Sequence, residues 1–539
     1  MRKTTRREFL GSAARGAALS SLAAWGGPLL ARAVAATPRD LDPAPFHFGV
    51  ASGDPLHDRV LIWTRAAPRA KSSAVDVRWT VARDPDLRRV VRRGRVVALA
   101  ENDHTVTVDV AGLDPGTRYY YGFEALGERS RVGRTATLPE SARHLRLVIA
   151  SCQSYPDGYY AAWRHIASKD LDAVLHLGDY IYEYGSTVEG FGEALRPHRP
   201  DYEIVSLADY RLRYANYRSD PHLRAAHAAH PFICVWDDHE VANDRWKDGA
   251  ENHQPEEEGD YEDRRRAAYR AYFEWMPLRR PDEREPDRIY RSFSVGDLAD
   301  LFMLDTRSYR DEVIGTFLAP NVDPVYTDPD RTILGDRQER WLHRSLARSR
   351  ARWRLVGNQV MIAPFSYGAI PDALGRPLQD LTGVSKDGAP VNHDAWDGYQ
   401  HDRNQLLEHI SSAGIDNTLF LTGDIHTSWA IELKLDPDDP TQAPVAAEFV
   451  GPSVSSANLD DITGAPPRTA SRAAEAAVMA NNLHVRYVEL DSHGYALITV
   501  TEDAIRGDWY FVDKTDASAG EELATSWVMR DGNARLEQP

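Results

Sequence analysis

The sequence predicts an α/β protein with a small all-β region in front of it, and three observations carry that reading. Between about Phe46 and Leu138, apolar and polar residues alternate at the period of strands. From Pro139 to about residue 510, short apolar runs alternate with helical patterns. Within this second stretch, four apolar runs end in acid/base or metal-binding side chains. They are Leu145 to Ser151 before Cys152, Asp172 to Leu177 before Gly178-Asp179-Tyr180-Ile181-Tyr182, Pro231 to Trp236 before Asp237-Asp238-His239-Glu240, and Thr418 to Thr422 before Gly423-Asp424-Ile425-His426. A short apolar run closed by a turn reads as a buried parallel strand, and ligand sites in α/β sheets collect at the carboxyl ends of such strands. One such strand would mean little; four argue for a single site.

In chain order, residues 1–36 are an address. Thr5-Arg6-Arg7-Glu8-Phe9-Leu10 precedes a weakly apolar stretch from Ala17 to Leu30 and then Ala33-Val34-Ala35-Ala36, the pattern of a twin-arginine export signal with a peptidase site. The stretch is broken by Gly26-Gly27-Pro28 and is too short to span a bilayer, so the twin-arginine translocase is the expected partner and the periplasmic, cell-wall or secreted space the destination. That pathway carries folded proteins, which fits a metal loaded before export. The leader holds six Lys/Arg and one Asp/Glu, so the formal net charge of −17 becomes −22 once it is removed. A field of that sign opposes binding of nucleic acid or anionic membrane by bulk charge, and no later segment is apolar enough to span a membrane. A monomer is expected. At 539 residues, two domains are expected, and 42% hydrophobic and 27% charged residues describe a globular chain. Of the two cysteines, Cys234 reads as a strand core residue, and no disulfide is expected.

The all-β region, residues 45–138, contains Val60 to Thr64, Val75 to Val81 and Thr105 to Val110 as strands, with Asp114-Pro115-Gly116 as a turn. Gly112 to Tyr121 resembles the tyrosine-bearing corner of a fibronectin type III-like domain, and the region reads as a structural module. Residues 144–510 form the larger α/β domain. Residues 183–230 interrupt it with a glycine-rich loop and a helix from Leu207 to Tyr217, an excursion that walls a site. Asp248 to Asp263 reads as a solvated acidic loop entering a helix from Arg264 to Trp275. His222, His227 and His230 do not share a helix face and read as helix and loop residues. Residues 511–539 are polar and glycine-punctuated, a tail, a lid or a strap.

Asp179 and Tyr182 leave their strand three residues apart, so one turn brings both to one ion. Phenolate is an uncommon ligand, because a Tyr pKa of about 10 must be overcome by a strongly Lewis-acidic cation, and ferric iron is the usual choice. Cys152 adds a thiolate and His426 an imidazole. Asp238, Asp424 and Asn358, in Val356-Gly357-Asn358-Gln359, offer oxygen alone, which suits calcium, magnesium or manganese. The donors divide into a mixed S/N/O set and an oxygen set, with Asp179 placed to bridge them.

These motifs resemble the metallophosphoesterase signature, with the tyrosine spacing of purple acid phosphatases. The closer match is to PhoD-type alkaline phosphatases and phosphodiesterases, carried also by the leader, Gly49-Val50-Ala51-Ser52-Gly53-Asp54-Pro55, Ser151-Cys152-Gln153 and Leu304-Asp305-Thr306-Arg307-Ser308-Tyr309-Arg310. The resemblance implies a two-sheet metallophosphoesterase sandwich flanked by helices. It implies Fe3+ held by Cys152, Asp179, Tyr182 and His426, and one or two Ca2+ held near Asp179, Asp238, Asn358 and Asp424. It further implies that His239 contacts the phosphate or protonates the leaving oxygen. Arg307, after the strand Leu298 to Leu304, reads as a bidentate phosphate clamp, and the Asp394 and Asp397 carboxylates as candidates to complete the calcium shell. Relative to the general signature, cysteine replaces an Asp-x-His, Asp238 an asparagine and Asp424 a histidine, which favours iron with calcium over a zinc or manganese pair. The implied activity is hydrolysis of phosphate mono- or diesters through attack by a metal-bound hydroxide or oxide. The alternatives are a phospholipase D-like phosphodiesterase acting on lipid headgroups and, from another class, a cell-surface binding protein stabilised by its metals.

Overall fold

The computed structural model describes residues 41–186, 194–280, 284–315, 324–366 and 392–539, so the twin-arginine leader lies outside the described residues. Its centre is the strand Ala173–His176, buried at every residue. Parallel neighbours His144–Ala150 and Pro231–Cys234 flank it, so the first three motif turns emerge at one sheet edge. The fourth comes from Thr418–Thr422, in a seven-stranded sheet whose middle strands Ala299–Met303, Trp353–Asn358, Thr418–Thr422 and Ala446–Val450 also run parallel.

Period-two alternation decides how the sheets stack. Leu301, Leu355, Leu419 and Phe449 of the second sheet fall in one buried cluster with Leu147, Ile149 and Leu175 of the first. Their neighbours Phe302, Val356, Phe420 and Val450 turn the other way, onto Leu342 and Leu346 of helix Gly335–Arg348 and Leu406, Leu407 and Ile410 of helix Gln400–Ser412. Each such side chain contributes about 1.5–3 kcal/mol by leaving water. The result is the two-sheet sandwich with flanking helices. The parallel bridge Ser151↔Ser453 links the segment before Cys152 to the segment after Ala446–Val450 at the end where the motifs meet.

The all-β region has its own core, in which Val50, Val60, Ile62, Val106 and Val110 meet Val75, Val77, Val81, Tyr119, Tyr121 and Phe123. Its corner is built as the tyrosines indicate, with the Tyr119 hydroxyl accepting from the Asp114 N–H at 2.8 Å. It is not a closed unit, however. Val50–Gly53, Arg59–Arg65 and Thr105–Ala111 continue the central sheet, which reaches ten strands through the parallel pairs Ser52↔Pro231 and Gly53↔Phe232. Gly53 permits this approach, since a Cβ there would lie 2.1 Å from the Pro277 carbonyl oxygen. Asp54 next to it is buried and takes both prongs of Arg291, at 2.9 and 2.6 Å.

Residues 511–539 correct the expectation of a tail or lid. Glu521–Arg530 and Asn533–Glu537 are antiparallel strands that finish the other edge of the ten-stranded sheet. Helix Leu207–Arg218 forms where expected, opened by a capping box in which the Ser206 hydroxyl accepts from the Asp209 N–H. Asp260 caps helix Tyr261–Trp275. No described helix is long and apolar enough to cross a membrane.

Candidate metal centre

Three of the four motif turns bend in the left-handed region, where side chains other than glycine are strained by roughly 1–3 kcal/mol each. Cys152, Asp179, Asp424 and His426 have φ of 57°, 55°, 64° and 65°. Glycine is required beside them, because a Cβ on Gly178 (φ 113°) would lie 2.3 Å from the Asp237 Cβ. Buried Glu240 ties two turns together, accepting from the Asp237 N–H at 2.7 Å, the Asp179 N–H at 3.1 Å and the Tyr180 N–H at 2.5 Å. Burial pushes its carboxyl up to about 7.

One half of the centre is the mixed set. A Cys152 sulfur, an Asp179 oxygen and a His426 ring nitrogen lie within 4.8 Å of one another. The Tyr182 hydroxyl joins them, donating to Asp179 Oδ2 at 3.0 Å, lying 3.2 Å from His426 Nε2 and accepting from Ser456 Oγ at 2.7 Å. His426 Nδ1 lies 2.9 Å from the Ala457 carbonyl oxygen; that oxygen only accepts, so Nδ1 carries the proton and Nε2 turns its lone pair to the cluster. Burial drives the Cys152 thiol, the Tyr182 phenol and the Asp179 carboxyl well above their usual ranges, and the Asp179 charge adds to the rise at Cys152 and Tyr182. Asp179 Oδ1 is buried with no hydrogen-bond partner among the described residues. A cation here would hold all three acids ionised and occupy that oxygen, so the residues fit a metal.

The other half is carboxylate. Oxygens of Asp237, Asp238 and Asp424 form a second group within 4.8 Å, and Asp179, Asp238 and His239 a third. Asp237 Oδ2 and Asp238 Oδ1 are buried without hydrogen-bond partners among the described residues. Arg307 is fully buried among these acids. Its Nη1 donates to both oxygens of Asp394 at 2.8 and 2.7 Å, its Nη2 to Asp424 at 2.8 Å, and its Nε to Asp237. Asp238 Oδ1 lies 3.4 Å from Arg307 Nη2. Arg310 clasps Asp394 from behind at 2.7 Å. Burial would raise the Asp238 carboxyl, but Arg307, His239 and the Asp244 N–H outweigh it and hold it well below the usual carboxylate range. Burial pushes Asp237 up to about 8, against Arg307. The cluster keeps more carboxylates than the two arginines neutralise, which leaves room for a divalent cation with oxygen ligands.

His239 meets the cluster with its ring 4.1 Å from that of Tyr182 and its Nδ1 2.6 Å from Glu183 Oε2. Burial would lower its pKa, yet Glu183, Asp238 and Asp179 together hold it well above the usual histidine range.

Several sequence expectations change here. Arg307, expected as a phosphate clamp, reaches the site, where its N–H groups donate to Asp237, Asp394 and Asp424. Asn358 ends its strand opposite Thr422, but its amide donates to the Val360 carbonyl at 2.5 Å and its oxygen accepts from the Trp396 indole at 3.3 Å. Asp397 pairs with Arg403 and accepts from the Phe365 N–H, whereas Asp394 does join the cluster. His227 is core: its Nε2 lies 2.9 Å from the Tyr180 hydroxyl and its ring stacks on Phe232. Glu183, Glu240, Ser456 and Arg310 carry no assignment from sequence, although both glutamates sit directly beside motif residues.

Residues 147–509 match the family model described as PhoD-like phosphatase, and residues 32–139 match that of the PhoD-like phosphatase N-terminal domain. The chain is 39% identical over 478 residues to alkaline phosphatase D of Bacillus subtilis (strain 168), covering 86% of this chain and 77% of that one. A solved structure described as that of PhoD matches with a TM-score of 0.81 at 36% identity over 92% of each chain. Fold, motif order and length of match agree, and the chain belongs to the PhoD-like phosphatase family.

Proposed function

We propose that this chain is an exported, metal-dependent phosphoesterase that hydrolyses phosphate mono- or diesters. The observation that carries the reading is the meeting of two chemically distinct donor sets across one shared residue, Asp179, at the strand ends of a PhoD-like fold. Cys152, Asp179, Tyr182 and His426 would hold ferric iron, and Asp179, Asp238 and Asp424 would hold calcium. When bound, the metals polarise the phosphoryl oxygens and activate the attacking oxygen.

The chain's own residues do the rest. Glu240 fixes the turns that carry Asp179 and Asp237. Arg307 and Arg310 hold the carboxylates in one array and keep part of their charge neutralised. His239, at the edge of both donor sets and held by Glu183, would give a proton to the departing alkoxide. The site residues are nearly all buried, Cys152 fully so and His239 7% exposed, which limits water around the developing charge. The twin-arginine leader delivers the folded enzyme to the extracytoplasmic side.

The test is hydrolysis of p-nitrophenyl phosphate and bis-p-nitrophenyl phosphate by the mature protein at alkaline pH, as purified and after exhaustive metal removal. Turnover of either ester that disappears without metal is expected, and the preferred ester names the substrate class. A metal-replete protein inert to both esters would overturn the reading.

A further inference from the structure

The tripeptide Tyr182-Glu183-Tyr184 surrounds His239 on three sides. Tyr182 lies against the imidazole at 4.1 Å between centroids, and Tyr184 meets it edge-on at 5.4 Å. Between them, an oxygen of fully buried Glu183 accepts a hydrogen bond from Nδ1–H at 2.6 Å. Its other oxygen accepts from the Asn243 N–H and the Asn252 carboxamide, each at 2.8 Å, so the carboxylate cannot turn without losing a bond. The backbone on either side of Glu183 is pinned as well, because one nitrogen of buried Arg213 donates to the carbonyls of both Tyr182 and Tyr184, the latter at 2.7 Å. A buried charge is costly unless paired and hydrogen-bonded. Here one carboxylate with three donors serves a single ring.

We propose that Glu183 is a positioning residue for the phosphoester reaction, acting through His239. By fixing the donor bond at Nδ1 it leaves Nε2 as the one ring nitrogen available to a substrate oxygen, and it sets that nitrogen's direction. Asn252 extends the arrangement into the acidic loop 248–260, which reads from sequence as solvated surface. The inference rests on the phosphoesterase reading. In the step it serves, the attacking oxygen forms a new bond to phosphorus as the P–O bond to the leaving group breaks, the electron pair of the broken bond stays on the leaving oxygen, and a proton from His239 Nε2 passes to it.

A leaving group that is stable as an anion needs no such proton, and a poor one does. The test therefore compares kcat/KM across esters from 2,4-dinitrophenyl to alkyl phosphate for the wild type, Glu183→Gln and Asn252→Ala. Glu183→Gln is expected to lose about 100-fold on the alkyl ester, in kcat with KM little changed, and less than about threefold on the dinitrophenyl ester, with metal content kept. Asn252→Ala, which removes only one of the three bonds, is expected to show the same slope with a loss of about tenfold. An equal loss on every ester, or none on any, would overturn the positioning role while wild-type turnover leaves the phosphoesterase reading standing. A wild type inert to the whole series would remove that reading, and the inference with it.

Discussion

The two halves of the centre share Asp179 but balance charge in opposite ways. Cys152, Tyr182, Asp179 and His426 meet one another, Ser456 and the His239 ring, with no guanidinium bonded to the side chains of Cys152, Tyr182 or Asp179 among the described residues, and burial drives their acids toward the protonated state. Asp237, Asp238, Asp394 and Asp424 surround Arg307, a cation the chain supplies itself, with Arg310 behind. The first half becomes an anionic ligand set only when a cation enters. The second is an ordered array already, so a cation entering it competes with a guanidinium. The difference predicts a tightly kept metal on one side and an exchangeable one on the other.

Removing the shared residue tests both halves at once. Asp179→Asn is expected to lower turnover to less than about one thousandth of wild type, with both metals reduced on elemental analysis. If one metal stays at full occupancy, Asp179 does not bridge. Arg307→Ala breaks the second half alone. It leaves buried carboxylates without their counter-ion, a loss of about 3–5 kcal/mol, read as a fall in Tm that calcium reverses more strongly than in wild type. Equal calcium effects in both proteins would mean that Arg307 and calcium do not share these oxygens. Tyr182→Phe breaks the first half, with an expected loss of a visible tyrosinate-to-iron band and a fall in turnover of about 10–100-fold. A colourless active wild type would remove iron from the account.

A pH series on metal-free protein sharpens the comparison further. Asp237 and Glu240 have folded values pushed up to about 8 and about 7, above ordinary values of 3.8 and 4.5. An acid raised on folding binds its proton more tightly in the native state, so its contribution is full below the ordinary value and is lost as pH rises to the folded one. Tm of the metal-free protein is therefore expected to fall between about pH 4 and pH 8, and calcium is expected to flatten that fall. A metal-free Tm that rises across the window would contradict the pKa directions. The smallest effect is expected of Asp397→Asn: because Asp397 pairs with Arg403, turnover should stay within about twofold while Tm drops.

How much of this was legible in the sequence follows from how local each signal is. An apolar run with acids in its first turn occupies ten residues, so the four strands and Cys152, Asp179, Tyr182, Asp238, Asp424 and His426 could be placed together. Partnerships across long separations could not. Arg307 meets Asp237 and Asp394 from 70 and 87 residues away, and an arginine near a strand end looks the same whether it faces phosphate or carboxylate. Asn358 carries an oxygen at the right strand end, but the Trp396 indole that takes it lies 38 residues on. The continuity of Val50–Gly53 with Pro231–Cys234 is a register between distant strands, invisible to local alternation. Glu521–Arg530 could not be told from a tail, a lid or a strap because its first half is largely exposed, as edge strands are.

The unequal halves are tested most directly by elemental analysis of the mature protein before and after dialysis against a calcium chelator, with the visible spectrum and ester turnover recorded on the same samples. Calcium and turnover are expected to leave together while iron and colour stay, and added calcium is expected to restore activity. Turnover that survives the loss of calcium, or iron and colour departing first, would contradict the account.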